Sequence, residues 1–326
     1  MQELGAQLST RLDEPLRTLG ARDDAPHLLF ALAATRDGTV PAAACADPRA
    51  AAAALAPACA PWFALPLAKG FEARGEPLEA AAVLESCVDA VDGMPLAREL
   101  IELSLAVRRA DAESARTTAA ANARDVAAAL DRALDIAMRR LPDDADAPRW
   151  ILERADLALG AMDASSDLSR AESMLGRFPA QSPLAPLRTL RDAEILALRA
   201  LTLPEGDAAR PQALRSAAVR LEDAGVALDA VATRIDRPTL GAARARLDTM
   251  RAAVADASRR PAEAITVALR AVGAAEAGQA IRVRAASIWL DASLARGGVG
   301  SVPAEVAALA AESAALRALV APSVEA

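Results

Sequence analysis

The sequence predicts an all-α protein of antiparallel helical hairpins, about fifteen helices in all, and three observations predict it. Hydrophobic residues make up 53% of the 326 residues while aromatics make up only 2%, so alanine carries much of the apolar character. Alanine is the best helix former and buries little area, so such a core is spread over many close helix contacts. Proline repeatedly precedes a run of helical periodicity, in the first turn where its missing N–H has no partner to lose. No segment alternates with a period of two between turn signals; Gly38-Thr39-Val40 comes nearest and is too short for a strand.

The elements follow in order. Residues 1–60 form an N-terminal helical segment with helices at 2–20, 25–36 and 48–57, the last opened by Asp47-Pro48. Residues 61–205 carry helical hairpins. Pro61 opens 61–74, which Gly75 closes; Pro77 opens 77–92, which Gly93 closes; Pro95 opens 95–109. A long helix at 111–141 is read from Val126, Leu130, Leu134, Ala137 and Leu141 at three- and four-residue steps. Asp146-Ala147-Pro148 opens 147–162; helices at 167–178 and, after Pro183, 183–203 follow.

Residues 206–326 begin with a long helix pair, 208–236 and 238–257. In the first, Leu214, Leu221, Leu228 and Ile235 stand seven apart with Ala217, Ala224 and Val231 between them. The second repeats the pattern with Leu240, Leu247 and Val254, and with Ala243 and Met250 between. That is a short heptad seam, and the tight link before Pro238 pairs the helices within one chain. A homodimeric coiled coil is the rival. Helices at 261–275, 278–296 and 303–320 complete the chain, with Gly297-Gly298 as a stop.

One unit is recognisable. Residues 61–95 read Leu67-Ala68-x-x-Phe71, Gly75, Ala80-x-x-x-Leu84 and Cys87. This stretch resembles a tetratricopeptide repeat in its small and large apolar positions. It departs at the usual tryptophan position, which is Ala64 with Trp62 nearby, and its closing Pro95 comes late. A weaker match covers 148–183, with Leu159-Gly160 at the close-contact point of the first helix and Ala171-x-x-x-Leu175 in the second. The resemblance implies a right-handed superhelical α-solenoid, irregular and interrupted by the long helices. It also implies a scaffold that binds a protein or peptide along a concave face, with Lys69 and Arg74 as groove positions of the first unit.

Composition limits the functions. The net charge is −7 and acidic and basic residues alternate, which disfavours nucleic-acid binding. Arg108-Arg109, Arg139-Arg140 and Arg259-Arg260 are read at helix ends, facing the negative pole of the dipole. Lys69, Asn122 and His27 are each the only residue of their type, and tyrosine is absent, a bias of GC-rich coding. Cys45, Cys59 and Cys87 form no metal-ligand spacing and read as small buried hydrophobes, a Cys45–Cys59 disulfide being the alternative. Met1-Gln2-Glu3-Leu4 lacks a secretory pattern, so a cytoplasmic location is expected. Ala50 to Ala68 is uncharged, but Pro57, Pro61 and Pro66 interrupt it, so no membrane span is expected there.

No residues are assigned to catalysis, to a metal or to a cofactor. His27 lies in the first turn of an apolar helix with no nucleophile brought to it. Asp23-Asp24 and Asp143-Asp144 with Asp146 precede helices, where carboxylates cap N-termini; the latter group lacks the glycine and closing glutamate of a calcium loop. Gly297-Gly298-Val299-Gly300-Ser301 follows no strand and holds no lysine, so it reads as a turn and not a phosphate loop. Trp62, Trp150 and Trp289 read as core anchors, or as binding anchors if exposed in one groove. The expectation is a non-catalytic scaffold for protein–protein interaction. The alternative is a structural helical bundle that makes a homo-oligomer through its long helices, and an enzyme of helical class is the third reading.

Overall fold

The computed structural model describes residues 64, 68, 70–72, 74–90, 97–117, 122–160, 166–298, 301–312 and 316. Among the described residues there are eleven helices with defined bounds, further helical residues at 64, 68, 70–72 and 316, and no strand. The expected helices at 2–20, 25–36 and 48–57 lie outside them. The fold divides between Ala147 and Pro148 into two compact units. Residues 205 and 206, where a boundary was expected, connect two helices that pack on each other inside the second unit.

In the first unit, α1 (Pro77–Ala90), α2 (Ala97–Thr117) and α3 (Ala123–Arg140) each pack on the other two. Pro77 opens α1, and Gly75 before it takes φ 73°, a left-handed turn that favours glycine. Ala64, Ala68, Phe71, Ala80 and Leu84 are all buried, as are Leu100, Leu105, Leu130 and Leu134 from α2 and α3.

The helix expected at 111–141 is two helices. α2 runs unbroken through Ala110 and Asp111 to Thr117, and α3 starts after Asn122. Arg108 was read as a helix end, yet it lies inside α2. Its Nε and Nη2 donate to the Glu85 carboxylate on α1 at 2.8 and 3.1 Å. A basic residue there serves a neighbouring helix, not a helix terminus, and Ala110-Asp111 contains nothing to stop the helix. Arg139 and Arg140 do sit in the last turn of α3.

The second unit holds α4 (Ala147–Leu159, from Pro148 onwards), α5 (Leu168–Leu175), α6 (Ala185–Thr202), α7 (Arg210–Ala230), α8 (Arg237–Ala257), α9 (Pro261–Val272), α10 (Gln279–Ala295) and α11 (Ala304–Glu312). From α5 onwards each helix packs on the next, and α6 on α8, α8 on α10 and α9 on α11 as well. Proline stands in the first turn of α6, α7, α8 and α9, and for the last three it is the residue the sequence predicts. α6 instead holds Pro186 in its first turn and leaves Pro183, where its start was expected, in the preceding turn. Trp289 is buried with Val267, Val272, Val306 and Leu309, joining α9, α10 and α11 in one core.

The heptad stripes are buried: Leu214, Leu221 and Leu228 on α7, and Leu240, Leu247 and Val254 on α8. The helices pack on each other, but α7 makes its larger interface with α6 and α8 with α9. The first stripe also ends sooner than expected. Residues 231–235 leave the helix as turns and a bend, where β-branched Val231, Thr233 and Ile235 favour helix less than alanine does. Asp236 then caps α8, accepting the Thr239 N–H at 2.9 Å. Gly160, expected at a helix–helix contact, instead ends α4 at φ 54° and is exposed.

Candidate functional site

Four charged side chains tie α4, α6 and α8 together. Glu194 of α6 is 0% exposed, and Arg191 of α6 and Arg246 of α8 are each 7% exposed. Arg246 donates Nε and Nη2 to the two Glu194 oxygens at 2.9 and 2.7 Å. Arg191 donates Nε and Nη2 to the two Asp156 oxygens at 2.7 and 2.8 Å, and Arg246 Nη2 lies 3.2 Å from Asp156. Two cations and two anions close a neutral cluster. Burial alone would depress the Arg246 guanidinium; the Asp156 and Glu194 carboxylates outweigh it and hold the group above its ordinary value. Each carboxylate is held by a guanidinium fork, while Arg191 Nη1 is buried without a hydrogen-bond partner, so the cluster serves to position helices.

Beside this frame a groove of about 990 Å³ opens between α7 and α10, with the ends of α6 and α8 beneath it. Leu201, Leu214, Ala253 and Ile288 give it an apolar floor. Arg210 and Arg215 line it from α7, Arg259 and Arg260 from the link after α8, and Arg284 from α10. Glu205, Asp256 and Asp291 are the acidic lining residues. Val219 reaches the same groove and is 60% exposed, a large apolar side chain left in water.

Arg259 has a left-handed backbone. Its φ is 58°, the only positive value at a non-glycine residue among the described residues. The Arg259 N–H donates to Asp256 O and the Arg260 N–H to Ala255 O, at 2.8 and 2.9 Å, closing α8 in the paired turn that glycine usually makes. An L side chain in this conformation costs about 1–2 kcal/mol. The strained residue projects an arginine into the rim of the groove.

The two aspartates differ in surroundings. Burial, and then repulsion from Asp291, pushes the Asp256 carboxyl up. Burial pushes Asp291 up as well, with Arg284 pulling it back down. Each therefore takes a proton more readily than an ordinary carboxylate.

The residues singled out from sequence fall elsewhere. His27, Cys45, Cys59, Trp62, Lys69, Asp23 and Asp24 lie outside the described residues, and Cys87 lies in α1. Arg74 is exposed in the turn before α1, 3.6 Å from Glu76. Asp144 and Asp146 accept Arg98 of α2 at 3.0 and 3.4 Å, and Asp144 also accepts the Asp146 N–H, so these carboxylates fasten a loop. Gly297 and Gly298 form a turn after α10 at φ 119° and 126°. Trp150 and Trp289 are buried. Among the described residues no group of His, Cys, Asp or Glu could hold a metal ion, and no helix is long and apolar enough to cross a membrane.

The groove arginines were missed as a set, because Arg210 and Arg284 stand far apart in sequence and meet only through the packing of α7, α8 and α10. Comparison with protein-family models, curated proteins and solved structures yields no match.

Proposed function

We propose that the chain is a non-catalytic scaffold, a tetratricopeptide-like right-handed array of helical hairpins that holds a protein partner. The groove between α7 and α10 is the observation that carries this reading. It joins an apolar floor to charged walls, the make-up of a surface that buries a partner's apolar anchors and fixes their direction by polar contacts at the rim. From α5 onwards, packing of each helix on the next, with α6 also on α8, α8 on α10 and α9 on α11, supports a repeat-like array in the second unit. The buried charge cluster supports it too, since a rigid frame keeps the groove open before a partner arrives. Burial of the heptad stripes of α7 and α8 inside the chain favours the scaffold over the rival reading, oligomerisation through the long helices.

Site-specific photo-crosslinking in cells tests the proposal. A crosslinking amino acid at Val219, in the groove, is expected to give a discrete heavier adduct. The same group at exposed Leu196 of α6, which does not line the groove, is expected to give none. Equal labelling from both positions, or none from Val219, sinks the groove as a partner site.

A further inference from the structure

We infer that the groove takes an acidic amphipathic helix from a partner protein, its apolar face on Leu214, Val219 and Ile288 and its carboxylates against Arg210, Arg259 and Arg284. The inference rests on the scaffold reading and names the partner's chemistry.

Charge is the first argument. The chain carries a net charge of −7, yet five arginines and three carboxylates line this one groove, so the wall is basic on an acidic protein. Two of the five are engaged locally: Arg215 with Gln212 at 2.8 Å and Arg260 with Glu263 at 2.7 Å. Arg210, Arg259 and Arg284 make no ion pair within 4.0 Å among the described residues. Arg284 acts on Asp291 only from beyond ion-pair distance, and guanidinium groups outside an ion pair on a concave wall are complementary to carboxylates, which they bind in two-pronged geometry.

The floor narrows the choice further. A nucleic-acid backbone or inorganic phosphate would satisfy the arginines and leave Leu214, Val219 and Ile288 unused. A peptide with leucine-like side chains three and four residues apart uses both. α7 lines the groove from Arg210 to Val219, a rise of about 14 Å, which matches two to three turns of a docked helix. Arg259 adds a separate argument. The chain keeps an arginine at a position where glycine would relieve the backbone, and that arginine faces the groove.

The test uses the full chain and three fluorescein-labelled peptides of about sixteen residues, roughly 24 Å as helix, acetylated and amidated so that no free terminus contributes. One carries leucines at helical spacing among glutamates; the second replaces glutamate by lysine; the third replaces leucine by alanine. Anisotropy is expected to show binding of the first alone, weakened about tenfold or more by Arg284→Glu and by Arg259→Glu. Circular dichroism melts confirm that both variants fold, and Arg210→Glu serves where one does not.

Equal binding of the first peptide to the wild-type chain and to the folded variants overturns the inference. Binding of the lysine peptide in place of the glutamate peptide overturns it too, while leaving the scaffold reading intact. If the alanine peptide or a single-stranded DNA oligonucleotide competes as well as the first peptide, the apolar half of the inference falls. If no peptide binds and Val219 gives no crosslink, the scaffold reading falls with it.

Discussion

The carboxylate of Glu194 is wholly shielded from water and receives both forks of Arg246, at 2.9 and 2.7 Å, from a helix that lies 52 residues further along the chain. Taking these two charges out of water costs several kcal/mol each, and their mutual geometry offsets it. The pair therefore tolerates replacement as a whole better than loss of one half.

Glu194→Ala is expected to lower the unfolding free energy by about 3–5 kcal/mol, because it leaves Arg246 buried with only Asp156 beside it. The double variant Glu194→Leu with Arg246→Met is expected to recover most of that loss. Urea unfolding of the two singles and the double measures the coupling. A double variant as unstable as the sum of the singles would show that the pair is not a unit.

Arg259 offers an opposite case. Arg259→Gly relieves about 1–2 kcal/mol of backbone strain and adds about 0.4–1 kcal/mol of unfolded-chain entropy, for a net gain of about 1 kcal/mol. Arg259→Ala keeps the strained backbone and is expected to leave the melting temperature unchanged. Calorimetry separates them. A glycine variant that melts no higher than the alanine variant would remove the strain argument.

The groove aspartates make stability depend on pH. Asp256 and Asp291 have folded-state values above their unfolded ones, so the folded protein holds their protons more tightly. Their charged forms work against folding at neutral pH, and that penalty disappears as the pH falls into the ordinary carboxylate range near ~4. Asp291→Asn is expected to raise the melting temperature at pH 7 and to lose this advantage by about pH 4. It also removes the repulsion on Asp256, whose side-chain carbon titration, followed by NMR, should move down. An advantage that stays constant across this range contradicts the assignment.

The α7 stripe separates an internal seam from an oligomer interface. Leu221 is fully buried, and Leu221→Ala is expected to cost about 3–5 kcal/mol. Val226, on the same helix but 66% exposed, is expected to change stability by less than about 0.5 kcal/mol when replaced by alanine. Light scattering is expected to give the same mass for the wild-type chain and for Leu221→Ala at every concentration. A mass that falls on dilution, together with a Leu221→Ala variant that shifts it, would restore the oligomer reading.

Much of the helical framework was legible in the residues. Prolines 148, 211, 238 and 261 mark the starts of α4, α7, α8 and α9 because a missing N–H does no harm in a first helical turn. The break between α2 and α3 was not legible. Alanine-rich helix continues its periodicity across Thr117 and Asn122, and no proline or glycine interrupts it. Arg108 misled in the same region because a residue at a presumed end and one paired across helices look alike in sequence.

The charge cluster left a signal that went unread. Glu194 stands four residues after Leu190 and four before Leu198, both fully buried, so its position belongs to the apolar stripe of α6. Arg246 stands between Ala243 and Met250 on the buried face of α8 in the same way. A charge on a core stripe announces a buried partner, although it does not say which one. The groove gave less warning, since its lining comes from four helices and no local spacing brings Arg210 near Arg284.

The four-charge cluster also bears on sliding. Surfaces of alanine and leucine are smooth, and two such helices can shift along each other by one residue, a step of about 1.5 Å, with little change in buried area. Forked bonds between 2.7 and 2.9 Å do not survive that step. Asp156, Arg191, Glu194 and Arg246 therefore act as an indexing pin that selects one alignment of α4, α6 and α8 from many that alanine alone would permit. Altering one of these four charges releases the alignment as well as the pair, whereas altering both members of a pair together leaves no buried charge behind.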